Sequence, residues 1–238
     1  MCAFLINPYL FVTTACSSGI STSGLTAYWK MDGASTDSIS SLNGADTSVS
    51  YLSSPAMFGQ AMSLSGSNQY SQMGNSNLLQ TAVTWSLSAW FYPKTLNSYQ
   101  SVIDNYGFDG LGPYRILINN ANNTLLVSIG ANDILGFSSN TITANAWNHV
   151  VVTKTNTSTA KVYINGIEYD FGINTTRTSS NSRFVIGSRW RNSNSTYPDL
   201  YFNGLIDDVG YFQRTLSLNE VRTIYTAATV NGCRLSSL

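Results

Sequence analysis

A pair of alternating runs joined by an Asn-Gly dipeptide limits the folds that are open to this chain. Residues 160–164 and 167–169 alternate apolar and polar side chains on either side of Asn165-Gly166. An Asn-Gly pair in this position is typical of a two-residue hairpin turn, because both turn residues must accept a positive φ. The sequence therefore predicts a β-hairpin, and with a period of two its buried face would carry Val162, Ile164, Ile167 and Tyr169.

The composition predicts a single β-domain with a neutral surface. The chain has 238 residues, of which 43% are hydrophobic and only 10% are charged, so the polar surface must consist mainly of Ser, Thr and Asn. Twelve basic and twelve acidic residues give a formal net charge of +0. This balance excludes the basic footprint of nucleic-acid binding and electrostatic attraction to an anionic membrane. It suits an extracellular protein that contacts uncharged polar ligands such as glycans.

The first 24 residues are predicted to be a leader and a tether. Residues 2–15 are uncharged and mostly apolar, too short to span a bilayer and typical of the hydrophobic part of a signal peptide. Residues 12–16 resemble a bacterial lipoprotein processing site, in which Cys16 would carry the lipid and residues 17–24 would form a Ser/Thr/Gly tether. The alternatives are an N-terminal strand or an ordinary leader.

The cysteines predict no metal cluster inside the domain. The chain contains Cys2, Cys16 and Cys233, no Cys-x-x-Cys pair and a single histidine, His149, so a zinc site would have to be built from carboxylates alone. A disulfide between Cys16 and Cys233 is compatible with the frequent proximity of chain termini, but lipidation of Cys16 would forbid it.

Residues 83–93 are the clearest strand in the sequence. The face opposite its apolar residues carries Trp90 and Tyr92 among hydroxyl side chains. These two rings could form a platform that stacks on a sugar, or they could pad the sheet beneath a covering segment, which is the commoner role of such a face. The apolar face, predicted to enter the core, consists of Val83, Trp85, Leu87, Ala89 and Phe91.

The segment 101–114 is predicted to be a strand that enters a loop containing Gly and Asp residues. Asp104, Asn105 and Asp109 offer oxygen ligands for Ca²⁺, but the EF-hand pattern is not present and Asp109-Gly110 is a turn signal. Turn formation is therefore the favoured interpretation. Tyr106, in the same segment, is a candidate ligand-contact residue.

A tryptophan between two arginines is the strongest single candidate for ligand contact. Arg189, Trp190 and Arg191 begin a long polar loop that extends to Pro198. Because an exposed aromatic side chain in a loop is unfavourable unless it binds something, we expect Trp190 with its flanking arginines to contact a ligand. The alternative is that Trp190 folds back on the core.

The closing run carries the most specific motif. Residues 202–221 closely resemble the signature F-x-G-x-I-D-D-V-x-x-(F/Y)-x-R-x-L-S-x-x-E-I of laminin-G-like, concanavalin A-like domains, in the branch related to pentraxins that is often appended to bacterial surface proteins. Residues 147–153 and 162–166 resemble the central hairpin of the same family. The resemblance covers about residues 25–228 and leaves 229–238 as a tail. It implies an all-β fold, a two-sheet antiparallel β-sandwich (a concanavalin A-like jelly roll), followed by a short C-terminal helix that the capping box Ser217/Glu220 would open.

The same resemblance implies a structural Ca²⁺ where the first and last strands meet. The oxygen donors that the sequence offers there are Asp32 and Asp37 with Asp207 or Asp208. Side chains alternate along a strand, so Asp207 and Asp208 are expected on opposite faces, with at most one of them on the core side. The alternative is a carboxylate that fixes a loop through hydrogen bonds.

The inventory of carboxylates argues against catalysis. Glycosidases of this fold need a nucleophile and an acid about 5 Å apart across one glycosidic bond. The chain contains only two glutamates, Glu168 after the predicted turn and Glu220 at the predicted helix cap. A Ser-His-Asp triad would need His149, the single histidine. His149 shares a strand face with Trp147 and Val151, so we expect it at the edge of the core.

We therefore expect a secreted or surface-anchored, non-catalytic recognition module. Its ligand would be a carbohydrate or a glycosylated or matrix protein, with no nucleic-acid partner and with membrane contact only through a lipid anchor. The alternative, from a different functional class, is a structural surface protein that packs against copies of itself or an envelope partner without a soluble ligand.

Overall fold

Strands dominate the part of the chain that the computed structural model describes, which is residues 20–74, 84–107, 114–120, 124–129, 133–136, 141–156, 159–172, 182–190 and 198–235. One helix, α1 (Leu218–Asn231), follows the last strand. The strands are β1 Leu25–Trp29, β2 Ala45–Thr47, β3 Ser50–Leu52, β4 Ala61–Ser65, β5 Tyr70–Gln72, β6 Trp85–Pro93, β7 Gln100–Gly107, β8 Tyr114–Asn119, β9 Thr124–Ile129, β10 Asp133–Gly136, β11 Asn148–Lys154, β12 Thr159–Ile164, β13 Ile167–Gly172, β14 Ser182–Ile186, β15 Arg189–Trp190, β16 Pro198–Asp199 and β17 Asn203–Phe212.

Two antiparallel sheets face each other. The eight-stranded sheet has the order β13-β12-β11-β6-β17-β4-β3, with β1 also paired to β17. The seven-stranded sheet has the order β10-β9-β8-β7-β14-β5-β2, and β15 and β16 form a separate pair. Strands distant in sequence lie side by side in both sheets, so the sandwich predicted from the sequence is confirmed.

The core lies between the sheets, and a second apolar layer lies under the helix. The predicted inward face of β6 is confirmed for Trp85, Leu87, Ala89 and Phe91, which are buried with the inward residues of the facing sheet. The opposite face of the eight-stranded sheet is covered by α1, whose Val221 and Ile224 join a cluster from several strands. Burial of this second cluster holds the helix on the sheet. Its strand residues are Tyr28, Val151, Tyr163 and Phe212.

The predicted hairpin is confirmed as β12 and β13. Asn165 and Gly166 have φ values of 52° and 79°, the left-handed backbone that an Asn-Gly turn requires. Val162 and Ile164 are buried as predicted, but Ile167 is 59% exposed. That part of the prediction is wrong because Ile167 opens a strand at the edge of its sheet, where the facing sheet does not cover it.

The helix and the residues after it complete the domain. The predicted capping box is confirmed, since the Ser217 side chain accepts from the Glu220 N–H and the Glu220 side chain accepts from Ser217. Gly232, with a φ of 63°, ends the helix. Cys233 and Leu235 are 4% and 3% exposed, so these residues of the predicted tail pack on the domain. The boundary at 228 stays a prediction.

The N-terminal predictions fall on residues 1–19, including Cys16, which lie outside the described residues. Among the described residues, no helix has the length and apolar character needed to cross a bilayer.

A bulge in β17 overturns the expectation that Asp207 and Asp208 face opposite ways. The register of β17 against β6 shifts between Asp207 and Gly210, and Asp208 has a φ of 47°. Such a bulge interrupts the alternation of side chains along the strand. Both aspartates are buried, at 0% and 2% exposure, and both lie within 3.9 Å of the guanidinium of Arg234.

Candidate functional site

Asp37, one of the predicted metal ligands, organises the loop after β1. Its carboxylate accepts backbone N–H groups from Tyr28 at 2.9 Å and Ile39 at 3.0 Å, and it also accepts from the Ser40 hydroxyl. Burial acts to raise the pKa of Asp37, but these hydrogen bonds outweigh it and hold the pKa below its usual value. The structure thus gives Asp37 the role of a loop-fixing carboxylate, the alternative to metal binding.

The other three predicted metal ligands are brought together, around an arginine. Arg234 forms an ion pair with Asp32 through Nη1, and its Nε lies 3.3 Å from Oδ1 of Asp208. Burial raises the pKa of both Asp207 and Asp208, and mutual repulsion adds to the rise at Asp207. Across the described ranges, no group of three or more His, Cys, Asp or Glu side chains is arranged to hold a metal ion. Calcium binding stays a prediction.

Trp90 lies under α1 and cannot act as a sugar platform in this structure. Its side chain is 2% exposed and stacks on His149, with ring centroids 4.6 Å apart. Tyr225 of the helix also stacks on Trp90, with centroids 5.8 Å apart. The Ser88 hydroxyl lies 2.9 Å from Nε2 of His149. The structure therefore supports the padding alternative for Trp90, with a helix as the covering segment. His149, fully buried, belongs to the same layer, and burial lowers its pKa to about 3.

Tyr92 and Tyr106 are the remaining candidates on the two sheets. Tyr92, two residues after Trp90 on β6, is partly exposed and makes an edge contact with Trp147, with ring centroids 5.6 Å apart. Tyr106 belongs to β7, and its side chain lies outside what the structure describes. The structure does not bring Tyr92 next to Trp190, because β6 and β15 belong to different sheets.

Trp190 lies over the outer face of the seven-stranded sheet. The core residues Phe184 and Ile186 of β14 point inward, so Arg183 between β7 and β5 points outward. The Arg183 guanidinium carbon lies 4.4 Å from the ring centroid of Trp190, a cation–π distance. Tyr70 of β5 meets the same indole edge-on, with centroids 6.0 Å apart. The indole is partly exposed and does not fold into the core, in contrast to the alternative expectation.

Arg189 supports the indole from the adjacent position. Its guanidinium makes a bidentate ion pair with Asp199, from Nε to Oδ1 at 2.8 Å and from Nη2 to Oδ2 at 2.7 Å. This pair joins β15 to β16 and fixes the two strands against each other. Arg191 lies outside the described residues. Partial burial, with Tyr70 and Asp199 nearby, raises the pKa of Tyr201.

These residues form one polar and aromatic surface, here called the Trp190 patch. It combines ring faces, guanidinium groups and a carboxylate, all partly exposed. Such a surface can stack on an apolar ring face and donate hydrogen bonds at its rim. The patch consists of Tyr70, Arg183, Arg189, Trp190, Asp199 and Tyr201.

The two glutamates serve structural contacts. Glu168 of β13 forms an ion pair with Lys161, and Glu220 of α1 pairs with Arg214 at 2.6 Å while capping the helix. They lie on different elements. The Arg214 hydrogen bond is the largest influence on Glu220 and lowers its pKa to about 2.

Sequence reasoning missed Arg183, Tyr70 and Arg234. The alternation of residues 183–186 contains a usable signal for Arg183, since the apolar Phe184 and Ile186 require their neighbour to face outward. Nothing local indicates the role of Arg234, because its Asp32 partner lies 202 residues earlier in the chain.

Solved structures share this architecture. Domain 4 of AbnA, a GH43 extracellular arabinanase from Geobacillus stearothermophilus in complex with arabinotriose, is 21% identical, with a TM-score of 0.65, over 83% of this chain and 96% of that domain. A structure of botulinum neurotoxin type C, whose cell entry depends on interaction with two ganglioside molecules, is 17% identical with a TM-score of 0.65, over 86% of this chain and 51% of that one. A Trypanosoma rangeli sialidase in complex with 2,3-difluorosialic acid is 15% identical with a TM-score of 0.64, over 90% of this chain.

The TM-scores show a shared fold, and the chain spans about half of the neurotoxin structure and 34% of the sialidase. No curated protein matches the chain in sequence. A family model, Laminin_G_3, described as the concanavalin A-like lectin/glucanases superfamily, matches residues 65–222, which is more than half of the chain. The chain therefore belongs to this family of laminin-G-like, concanavalin A-like domains.

Proposed function

We propose that this protein is a non-catalytic recognition module that binds carbohydrate or glycosylated ligands at the Trp190 patch. The observation that carries the proposal is the partly exposed indole of Trp190, held by Arg183 at 4.4 Å and by Tyr70 at its edge. An indole that is fixed in place and still reachable loses little conformational freedom when a sugar ring stacks on it. The arabinotriose complex of the arabinanase domain supports carbohydrate as the ligand class.

The location of the patch supports this assignment. The outer face of the eight-stranded sheet is covered by α1 and its apolar cluster. The Trp190 patch lies on the opposite sheet, and its partly exposed side chains come from β5, β14, β15, and from β16 with the residues just after it. Convergence of four segments on one surface is typical of a binding site on a rigid scaffold.

We propose a non-catalytic role on the basis of the two glutamates and the aspartates of β17. Glu168 and Glu220 are engaged with Lys161 and Arg214 on separate elements. The aspartates of β17 are buried beside Arg234, away from solvent. A glycosidase needs two carboxylates facing one bond, and none of these pairs offers that arrangement.

We further propose that the protein acts outside the cytoplasm or on a cell surface. Cys233 is disulfide-bonded, and disulfides persist mainly in oxidising compartments. The composition, with few charges and many Ser, Thr and Asn residues, agrees with this location.

The test is a glycan array probed with the full chain, once with Ca²⁺ and once with EDTA, followed by titration of any sugar that binds. Trp190→Ala removes the indole, and we expect it to weaken binding by about tenfold or more, because an aromatic stack contributes about 1 kcal/mol beyond its buried area. Trp147→Ala is the matched control, since Trp147 is also partly exposed and also contacts one tyrosine. Thermal unfolding of both variants checks that the fold is retained.

Two results would contradict the proposal. Loss of binding in Trp147→Ala but not in Trp190→Ala would move the site to the Tyr92–Trp147 pair. If the wild-type protein binds no glycan on the array with either Ca²⁺ or EDTA, carbohydrate is not the ligand. That result would favour the structural alternative, self-association or packing on an envelope partner.

A further inference from the structure

The C-terminal segment places a cation beside two buried carboxylates, Asp207 and Asp208, and a more exposed one, Asp32. Arg234 follows the helix cap Gly232 and stands between Cys233 and Leu235, both of which are buried. Its own side chain is 15% exposed. Packing on both sides therefore fixes the direction in which the arginine points.

Three carboxylates from two distant parts of the chain surround this guanidinium. Nη1 pairs with Oδ2 of Asp32, Nε lies 3.3 Å from Oδ1 of Asp208, and Nη2 lies 3.9 Å from Oδ1 of Asp207. Oδ1 of Asp207 and Oδ1 of Asp208 are buried and accept no hydrogen bond. A buried carboxylate oxygen that accepts no hydrogen bond needs a positive charge close by, and Arg234 supplies it.

The loop between β3 and β4 closes over the same group. The Phe58 N–H donates to Oδ2 of Asp207 at 2.9 Å, and the Gln60 N–H donates to Oδ1 of Asp32 at 2.8 Å. The Phe58 ring centroid lies 5.2 Å from the guanidinium carbon of Arg234. The arginine is thus enclosed by carboxylates on one side and a ring on another.

A divalent cation and this guanidinium would compete for the same oxygens. Ca²⁺ binds carboxylate oxygens at about 2.3–2.6 Å. A calcium ion at that distance from the oxygens of Asp32 and Asp208 would lie close to the Arg234 nitrogens, and two like charges at that separation in a buried site repel strongly. The residues present therefore fit an internal arginine and do not fit an arginine and a metal ion together.

We propose that Arg234 is a built-in counter-ion that takes the place of a divalent cation at Asp32, Asp207 and Asp208. The C-terminal segment is then the element that neutralises the junction of the first and last strands. With Arg234 in place, the described carboxylates are not arranged as a metal site. Removal of the arginine leaves their charge uncompensated, and we expect Ca²⁺ to bind there in its place.

The experiment measures the thermal unfolding of the full chain with Ca²⁺ and with EDTA. We expect the wild-type Tm to be the same in both. Arg234→Met leaves buried carboxylates unpaired, and a fall in Tm of about 10 °C is expected in EDTA. Added Ca²⁺ raises the Tm of this variant and leaves the wild-type Tm unchanged.

Two further variants keep the test decisive. Arg222→Met is the matched control, because Arg222 is an exposed arginine on α1, and its Tm stays near the wild-type value. If Arg234→Met does not fold, Arg234→Met/Asp208→Asn removes one carboxylate with the arginine, and we expect it to recover a folded state. A wild-type Tm that rises with Ca²⁺, an Arg234→Met Tm no lower than that of Arg222→Met, or an Arg234→Met Tm unmoved by Ca²⁺ would each overturn the proposal.

Discussion

The imidazole of His149 stacks on the indole of Trp90 with ring centroids 4.6 Å apart and planes 25° from parallel. Tyr225 of α1 stacks on both rings, with its centroid 5.8 Å from that of Trp90 and 6.1 Å from that of His149. The helix thereby seals a histidine inside an aromatic layer. His149 is the only histidine of the chain, so its titration can be followed without interference from another.

The first prediction is a loss of stability in acid that depends on His149. Burial lowers the folded-state pKa of His149 to about 3 from an ordinary value of 6.5. Between these values the unfolded chain binds a proton that the folded chain does not, so stability falls as the pH drops from 6.5 towards 3, by about 1.4 kcal/mol per pH unit from this group alone. We expect the free energy of unfolding of His149→Gln, measured with urea, to depend less steeply on pH between 6.5 and 3. Parallel pH profiles for the two proteins would contradict the prediction.

The second prediction concerns the Glu220–Arg214 pair at the start of α1. Hydrogen bonds from Arg214 and Ser217 lower the folded-state pKa of Glu220 to about 2 from an ordinary value of 4.5. A carboxyl whose folded-state pKa is lowered contributes stability that is present above the unfolded value and lost as pH falls through the folded value. The stability advantage of wild type over Glu220→Gln should therefore shrink from pH 4.5 to pH 2. An advantage that is constant over this range would rule the linkage out.

The third prediction concerns Gly187, three residues before Trp190. Gly187 has a φ of 86°, and a Cβ there would lie 2.5 Å from Cδ1 of the buried Leu64. Gly187→Ala should reduce the free energy of unfolding by about 3 kcal/mol, from backbone strain and overpacking together. Gly232 has a similar φ of 63°, but a Cβ there would have no atom within 4 Å. Gly232→Ala should therefore cost only the backbone strain, about 1 kcal/mol. Denaturant unfolding of both variants measures the difference, and equal losses would show that the Leu64 contact is unimportant.

The fourth prediction concerns the cysteines. Cys233 is disulfide-bonded, and the other cysteines of the chain are Cys2 and Cys16. Peptide mass spectrometry without reduction should recover Cys233 in a disulfide-linked pair. A pair containing Cys16 would exclude lipidation at that sulfur, whereas a pair containing Cys2 leaves Cys16 available for it. Recovery of Cys233 as a free thiol would contradict the prediction.

The local sequence was enough to predict the inward face of β6, the hairpin turn and the start of the helix. The alternation of residues 85–91 placed Trp85 and Phe91 in the core, because neighbouring side chains on a strand point to opposite faces. Asn165-Gly166 specified its turn, since few residue pairs accept positive φ at both positions. Ser217 and Glu220 specified the helix start through hydrogen bonds that reach only three residues.

The β17 aspartates show where such reasoning fails. Alternation predicted that Asp207 and Asp208 would separate, and the bulge at Asp208 brought both beside Arg234. A bulge inserts one residue into the pairing of a strand with its neighbour, so it depends on register against β6 and is invisible in the strand's own pattern.

Local patterns and the closing motif were enough to predict the two-sheet fold, the hairpin, the capped helix and a surface position for Trp190. Tertiary structure alone decided that Trp90 is covered by Tyr225 and that Trp190 rests against Arg183. The two kinds of information differ in the distance along the chain over which they act. Backbone preferences and side-chain alternation act over a few residues, whereas the covering of a sheet face depends on the docking of elements from distant parts of the chain.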